Sequence, residues 1–182
     1  ALTTTGNDFV GTVTATGSSI AVVDSNDLTA ALSSSTAAGS ATLNAGGNLT
    51  VSGSVGTGGL STTTTGTGTT SFGTTSVTGN LSATSAGAVS QTGALTLTGL
   101  TSINAGANAI TLTNTANDFT GAVSLTNTGA NNVALVDATA IVLGTVNVGS
   151  GTLAITAAGA NTITQTGVIT QAAGAGGASF TT

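Results

Sequence analysis

Ala94-Leu95-Thr96-Leu97-Thr98 and Ala109-Ile110-Thr111-Leu112-Thr113 each alternate an apolar residue with a small polar one. A period of two sends successive side chains to opposite faces of an extended chain, as a strand with one buried face requires. The same alternation recurs outward in both directions, at 11–15, 49–52, 133–136, 141–146, 153–156 and 162–166. Gly and Asn stand between the runs, and both tolerate the left-handed conformations of tight corners. Helical spacing at i, i+3 and i+4 is not sustained anywhere, so the chain reads as all-β.

Composition narrows the chemistry. Among 182 residues there are 42 Thr, 30 Ala and 28 Gly, and no Lys, Arg, His, Glu, Cys, Met, Pro, Trp or Tyr. Without His, Cys or Lys the usual bases and nucleophiles near neutrality are missing, which argues against an enzyme. Zinc and most transition metals lose their imidazole and thiolate ligands, and no cofactor is expected. A formal charge of −5 with no cation leaves nothing to neutralise phosphates, so nucleic acid is not an expected partner. Disorder requires low hydrophobicity and high charge, whereas the mean hydropathy here is +0.46 with 3% charged residues. No apolar run reaches the length of a membrane-spanning helix, and membrane insertion is not expected.

The missing residue types also select among β architectures. Sandwiches usually carry aromatic core anchors and Pro in their loops, and membrane barrels need aromatic girdles. Strand starts at roughly 8–11 residues with short corners fit a solenoid of stacked coils instead. Pro inside such a coil would remove a hydrogen bond to the next, and none occurs. Residues 57–79, with only Leu60, Phe72 and Val77 as large apolar side chains, are expected to form the loosest coils.

Internal repetition points the same way. Asn7-Asp8-Phe9-Val10-Gly11-Thr12-Val13 returns as Asn117-Asp118-Phe119-Thr120-Gly121-Ala122-Val123, an offset of 110, and Phe72-Gly73-Thr74-Thr75 is a fainter echo. Ile20-Ala21-Val22-Val23-Asp24 parallels Val133-Ala134-Leu135-Val136-Asp137 at an offset of 113, so the repeat is degenerate. Asn44-Ala45-Gly46-Gly47, Asn104-Ala105-Gly106 and Ala157–Asn161 read as recurring corners.

These units, together with the run from Gly151 to Gly167, resemble the repeat regions of very large bacterial surface proteins of the filamentous haemagglutinin type. The resemblance implies a secreted, right-handed parallel β-helix forming a fibre or stalk at the cell surface, exported through an outer-membrane β-barrel partner. It carries no catalytic residues with it.

Each remaining candidate has a plain structural reading beside the functional one. Asp24 and Asp27 are the only clustered carboxylates and the candidate pair for Ca²⁺; the alternative is an Asx-type turn closing the strand. A carboxylate pair is also what glycoside hydrolysis needs, but the cations and aromatic platforms that accompany it are absent. Asp8 and Asp118 read as exposed corner residues bonding nearby backbone amides. Phe9, Phe72, Phe119 and Phe180 read as core fillers rather than stacking platforms. Thr96/Thr98, Thr111/Thr113, Thr126/Thr128, Thr162/Thr164 and Thr164/Thr166 form Thr-x-Thr pairs, which an ice-binding or adhesive face would align; Thr is also simply a good strand former. Asn48-Leu49-Thr50 and Asn80-Leu81-Ser82 match the glycosylation pattern, as chance allows in so Asn- and Thr-rich a chain.

The expectation is one solenoid segment over residues 1–182, an interior piece of a longer array, with roughly seven to nine coils of ~20–25 residues. At about 4.8 Å per coil its length would be ~35–45 Å. Its expected role is structural, with copies of itself or adjacent repeats stacked end to end.

Overall fold

The computed structural model describes residues 1–34 and 36–182, and in it the alternating runs become short strands in parallel stacks. In chain order these are β1 (Thr12–Gly17), β2 (Ser19–Asp24), β3 (Leu28–Ser34), β4 (Ser40–Ala45), β5 (Leu49–Val55), β6 (Gly59–Thr64) and β7 (Thr70–Val77). There follow β8 (Leu81–Thr84), β9 (Val89–Gln91), β10 (Leu95–Leu97), β11 (Thr101–Asn104), β12 (Ile110–Leu112), β13 (Asp118–Phe119) and β14 (Val123–Thr126). The last are β15 (Val133–Asp137), β16 (Ile141–Val148), β17 (Leu153–Ala157), β18 (Ile163–Gln165), β19 (Ile169–Gln171) and β20 (Ala178–Thr181).

Two sheets result. β1, β3, β5, β7, β9, β12, β15, β17 and β20 stack in that order within an eleven-stranded sheet that also holds β10 and β13. β2, β4, β6, β8, β11, β14, β16 and β18 stack within a nine-stranded sheet that β19 completes. The chain passes from one sheet to the other and back, giving a β-solenoid of about eight turns. Thr12 lies beside Thr29, and Leu153 beside Ala178, so a turn takes between 17 and 25 residues. Eight turns at about 4.8 Å make a rod of roughly 38 Å.

Register explains the core. In-register parallel stacking puts the same position of every coil above its predecessor, so inward residues form columns. On the nine-stranded sheet one column runs Ile20, Ala41, Leu60, Leu81, Thr101, Val123, Leu143. Facing it on the other sheet is Leu28, Leu49, Thr70, Val89, Ile110, Val133, Leu153. Every member of both columns is buried.

Residues 57–79 depart from expectation. They are strand-paired like the rest: β6 pairs in register with β4 and β8, β7 pairs with β5 across one register shift between Val51 and Gly53, and Phe72 is wholly buried, although Thr62 Oγ1 is buried without a partner. Hydroxyls replace the missing apolar bulk. Thr64 Oγ1 donates to Gly68 O at 2.6 Å, Thr70 Oγ1 donates to Ser85 Oγ at 3.0 Å, and the Ala86 N–H donates to Thr64 Oγ1 at 3.0 Å. A small side chain that satisfies its own polar atom fills a narrow interior as well as Val does.

The phenylalanines divide. Phe72 and Phe119 are fully buried, Phe9 is half-buried, and Phe180 on β20 is 47% exposed. Phe9 packs against the core from its edge, so the core reading holds for Phe72, Phe119 and, in part, Phe9, and not for Phe180.

Thr101 Oγ1 is buried without a hydrogen-bond partner, between Leu81 and Val123 in its column. An orphaned buried hydroxyl costs about 1–3 kcal/mol. Thr101→Val keeps the shape and removes that polar atom, and we expect it to raise stability by about 1 kcal/mol. A higher urea midpoint at unchanged slope is the outcome to look for.

Candidate functional site

The two copies of Asn-Asp-Phe build the same corner twice. Asn7 Nδ2 donates to Leu2 O and to Val23 O, both at 3.2 Å. Asn117 Nδ2 donates to Leu112 O at 3.2 Å and to Val136 O at 3.0 Å. Each amide thus ties the strand five residues earlier to the equivalent strand of the following coil. Two residues on, the Phe9 N–H donates to Asp24 Oδ2 at 3.3 Å, and the Phe119 N–H donates to Asp137 Oδ1 at 3.4 Å. The recurring fragments are therefore neighbours in adjacent coils, which is why they recur together. Their offsets differ by three because the path from Phe119 to Val133 is three residues longer than the path from Phe9 to Ile20.

Asp24 and Asp27 turn opposite ways. Asp24 is buried and accepts the Asn26 N–H on Oδ1 at 3.3 Å, closing an Asx turn. Asp27 is exposed and spends both oxygens on the next coil, accepting the Asn48 N–H at 2.6 Å and Asn48 Nδ2 at 3.2 Å. The two carboxylates do not converge, and no group of three or more metal-ligating residues occurs among the described residues.

Asp8 and Asp118 correct the expectation made for them. Their partners are side chains of the next coil rather than backbone amides: Asn26 Nδ2 donates to Asp8 at 2.8 Å, and Thr139 Oγ1 donates to Asp118 at 3.3 Å. Asp118 is half-buried on β13 rather than exposed in a corner. The motif glycines serve different ends. Gly11 has φ of +91°, a left-handed conformation, whereas a β-carbon on Gly121 would lie 2.1 Å from the Gly99 carbonyl oxygen of the coil beside it.

Sequence reading missed a second set of corner residues. Asn48 Oδ1 accepts the Thr69 N–H at 3.0 Å, Asn80 Oδ1 accepts the Leu100 N–H at 2.9 Å, and Asn132 Oδ1 accepts the Thr152 N–H at 3.0 Å. Each Asn immediately precedes an inward Leu or Val that opens a strand, and that adjacency was the available signal. Asn48 and Asn80 of the glycosylation matches thus have a structural task. Gln91 was also missed. It exchanges two amide hydrogen bonds with Asn117, of 2.8 and 2.9 Å, inside the stack.

The Thr-x-Thr pairs do not share a face. Thr96 and Thr111 lie on the eleven-stranded sheet, Thr126 and Thr164 on the nine-stranded one, because a turn is longer than the 15-residue spacing that links Thr96, Thr111 and Thr126. A different array does form outside the nine-stranded sheet. Thr42, Ser61, Ser82, Ser102 and Ser124 make one column. Asn44, Thr63, Thr84, Asn104, Thr126, Asn147 and Thr170 make the other. Neither column contains a charge or a side chain longer than Asn.

Asp137 is the electrostatic exception. It is wholly buried, and its Oδ2 has no hydrogen-bond partner. Burial pushes its carboxyl above the ordinary range; hydrogen bonds from Thr139 and Phe119 oppose this, and the neighbouring Asp118 adds to it. An acid whose pKa is raised by folding favours the folded state at low pH. That contribution is lost as pH rises through the folded value. The thermal midpoint should therefore fall as pH is raised from below the ordinary carboxylate value toward neutrality. Asp137→Asn, which still accepts the Phe119 and Thr139 N–H groups, should flatten this slope in a pH series of melting curves.

No curated protein and no solved structure matches the chain. A family described as repeats of unknown function (DUF5649) matches residues 61–126 and 130–182. Each matched stretch contains one Gln-Thr-Gly element, at 91–93 and 165–167. With roughly two thirds of its residues accounted for in this way, the chain belongs to the DUF5649 repeat family.

Proposed function

We propose that this chain is a structural segment of an extracellular bacterial fibre, stalk or matrix filament, built by axial stacking of solenoid coils. The observation that carries the reading is the one-dimensional register. Parallel pairing joins each coil to the next along one axis, so the rod lengthens by identical increments. The exterior supports it: small neutral side chains, three carboxylates outside the core (Asp8, Asp27 and Asp118), and none of the groups that usually hold a charged transition state. The resemblance of the Asn-Asp-Phe-x-Gly-x-Val units to bacterial surface repeats supports an extracellular setting, with export through an outer-membrane barrel. Catalysis has no part in this reading. Electron microscopy and fibre diffraction of the purified chain should show filaments with an axial repeat of about 4.8 Å. Discrete particles at high concentration, without that reflection, would sink the fibre role.

A second reading, adhesion, is favoured by the paired Ser/Thr and Asn/Thr columns outside the nine-stranded sheet. A neutral hydrogen-bonding lattice suits a periodic neutral surface such as ice or an insoluble polysaccharide. Ser82→Lys with Ser102→Lys should then abolish ice shaping or polysaccharide retention. Absence of both activities from the unaltered chain rejects this reading.

A further inference from the structure

We propose that Asp118, Thr139 and Asp137 form a proton-operated latch. With a proton on Asp137 the latch holds the Asn117–Phe119 segment against the coil that follows, and loss of that proton lets the segment part from residues 136–139. The matching corner at Asp8, Asn26 and Asp24 has no such dependence. The latch is a property of a single chain and stands apart from the fibre reading.

The two corners are one device built with one residue exchanged. Asp24 ends β2 and Asp137 ends β15; both are buried, and each accepts the N–H of the motif Phe in the coil before it. Two residues further on stands Asn26 in the first corner and Thr139 in the second. Asn26 gives its Nδ2 to Asp8 Oδ1 at 2.8 Å and its backbone N–H to Asp24 Oδ1 at 3.3 Å. Thr139 does the same with its hydroxyl, 3.3 Å from Asp118 Oδ1, and its backbone N–H, 3.1 Å from Asp137 Oδ1.

The exchange changes the number of hydrogens. A primary amide carries two on its nitrogen, a hydroxyl one. Thr139 Oγ1 lies 3.3 Å from Asp118 Oδ1 and 3.3 Å from Asp137 Oδ1, so two carboxylates contend for a single hydrogen. In the first corner they do not. Asn26 Nδ2 serves Asp8, and Asp24 takes one backbone donor on each oxygen, Asn26 N–H on Oδ1 and Phe9 N–H on Oδ2. Asp137 takes both backbone donors on Oδ1, and its Oδ2 is buried with no partner among the described residues.

A proton on Oδ2 resolves the conflict. It neutralises the buried carboxyl, leaves Oδ1 to accept the Phe119 and Thr139 N–H groups, and leaves the Thr139 hydroxyl hydrogen to Asp118. When that proton departs to solvent, two negative groups face each other across one hydroxyl. The chain has no Lys, Arg or His to compensate them. From the coil before, Asp118 is the one titratable group facing Asp137; from the coil after, Ala157 lies beside it and Asn161 bonds the Ala138 carbonyl, and residues 157–161 contain no titratable side chain. Asp8, Asp24 and Asp27 belong to the first corner. Burial already raises the Asp137 carboxyl above the ordinary range, and Asp118 adds to this.

Opening relieves the charge because a buried ion without a partner costs far more than a hydrated one. Little resists it. β13 pairs with β10 alone among the described residues, so toward the following coil the segment is held at its corner. The bonds there are Phe119 N–H to Asp137, Ala138 N–H to Asn117 O at 2.8 Å and Asn117 Nδ2 to Val136 O at 3.0 Å.

Residue-resolved hydrogen exchange on the full chain, expressed as protection relative to the unstructured rate at each pH, tests the latch. From below the ordinary carboxylate value to neutrality, protection of the Phe119, Ala138 and Thr139 N–H groups should fall about tenfold. The N–H groups of β4 and β5 should keep theirs, since a solenoid opens coil by coil. Asp137→Asn cannot ionise and should keep the corner protected at neutrality. Thr139→Asn copies the first corner and should remove most of the fall. Should that variant not fold, Asn26→Thr takes its place: a new pH-dependent fall at the Phe9 N–H upholds the proposal, and its absence overturns it. Flat protection in the unaltered chain, a fall shared equally by β4 and β5, or a fall that survives Asp137→Asn or Thr139→Asn would each overturn it as well.

Discussion

Hydrogen bonding between successive coils is the constraint from which the rest of this structure follows. A coil cannot satisfy its own strand amides and carbonyls; it takes half its partners from the coil before and half from the coil after. In-register parallel pairing then places like positions over one another, and a residue choice at one position is tested again a turn later. The missing prolines, the glycines whose β-carbons would meet a neighbouring carbonyl, and the Asn residues ahead of strand-opening leucines are consequences of that one requirement.

The corners show how the constraint is met where strands stop. Backbone groups there have no ladder partner, and Asn and Asp side chains supply one across the gap between coils. Asn117 is the fullest case, joining residues 91–95, 112 and 136 through a single buried amide. Such a group is costly to bury unless each of its atoms is bonded. When bonded, it fixes the register of three coils at once. Asp137 shows the opposite outcome, since one oxygen stays unpaired and burial disfavours its charge.

The exterior is as uniform as the interior. Along the outer columns of the nine-stranded sheet, short neutral side chains leave no protruding group to repel a long parallel neighbour and no charge to keep rods apart.

The strand pattern, the stacking and the near-regular turn were all legible in runs such as Ala94–Thr98, because side-chain alternation and corner chemistry are local properties of the chain. The pairing of Asn7-Asp8-Phe9 with Asn117-Asp118-Phe119 as one motif was legible too, as simple repetition. Its task was not, since the partners of Asn117 lie 26 residues back at Gln91 and 19 ahead at Val136. Turn length varies from 17 to 25 residues, so no fixed spacing predicts which Thr or Ser shares a face with which. For that reason Thr96 and Thr126 belong to different sheets, while Ser61, Ser82 and Ser102 stand in line. Burial of the polar residues was likewise decided above the sequence: Thr64, Thr70 and Ser85 are interior because the winding brings their hydroxyls within reach of one another. Local chemistry determined that the chain would form strands and corners. Only the stacking of whole coils, through contacts about twenty residues apart, decided which polar groups would meet.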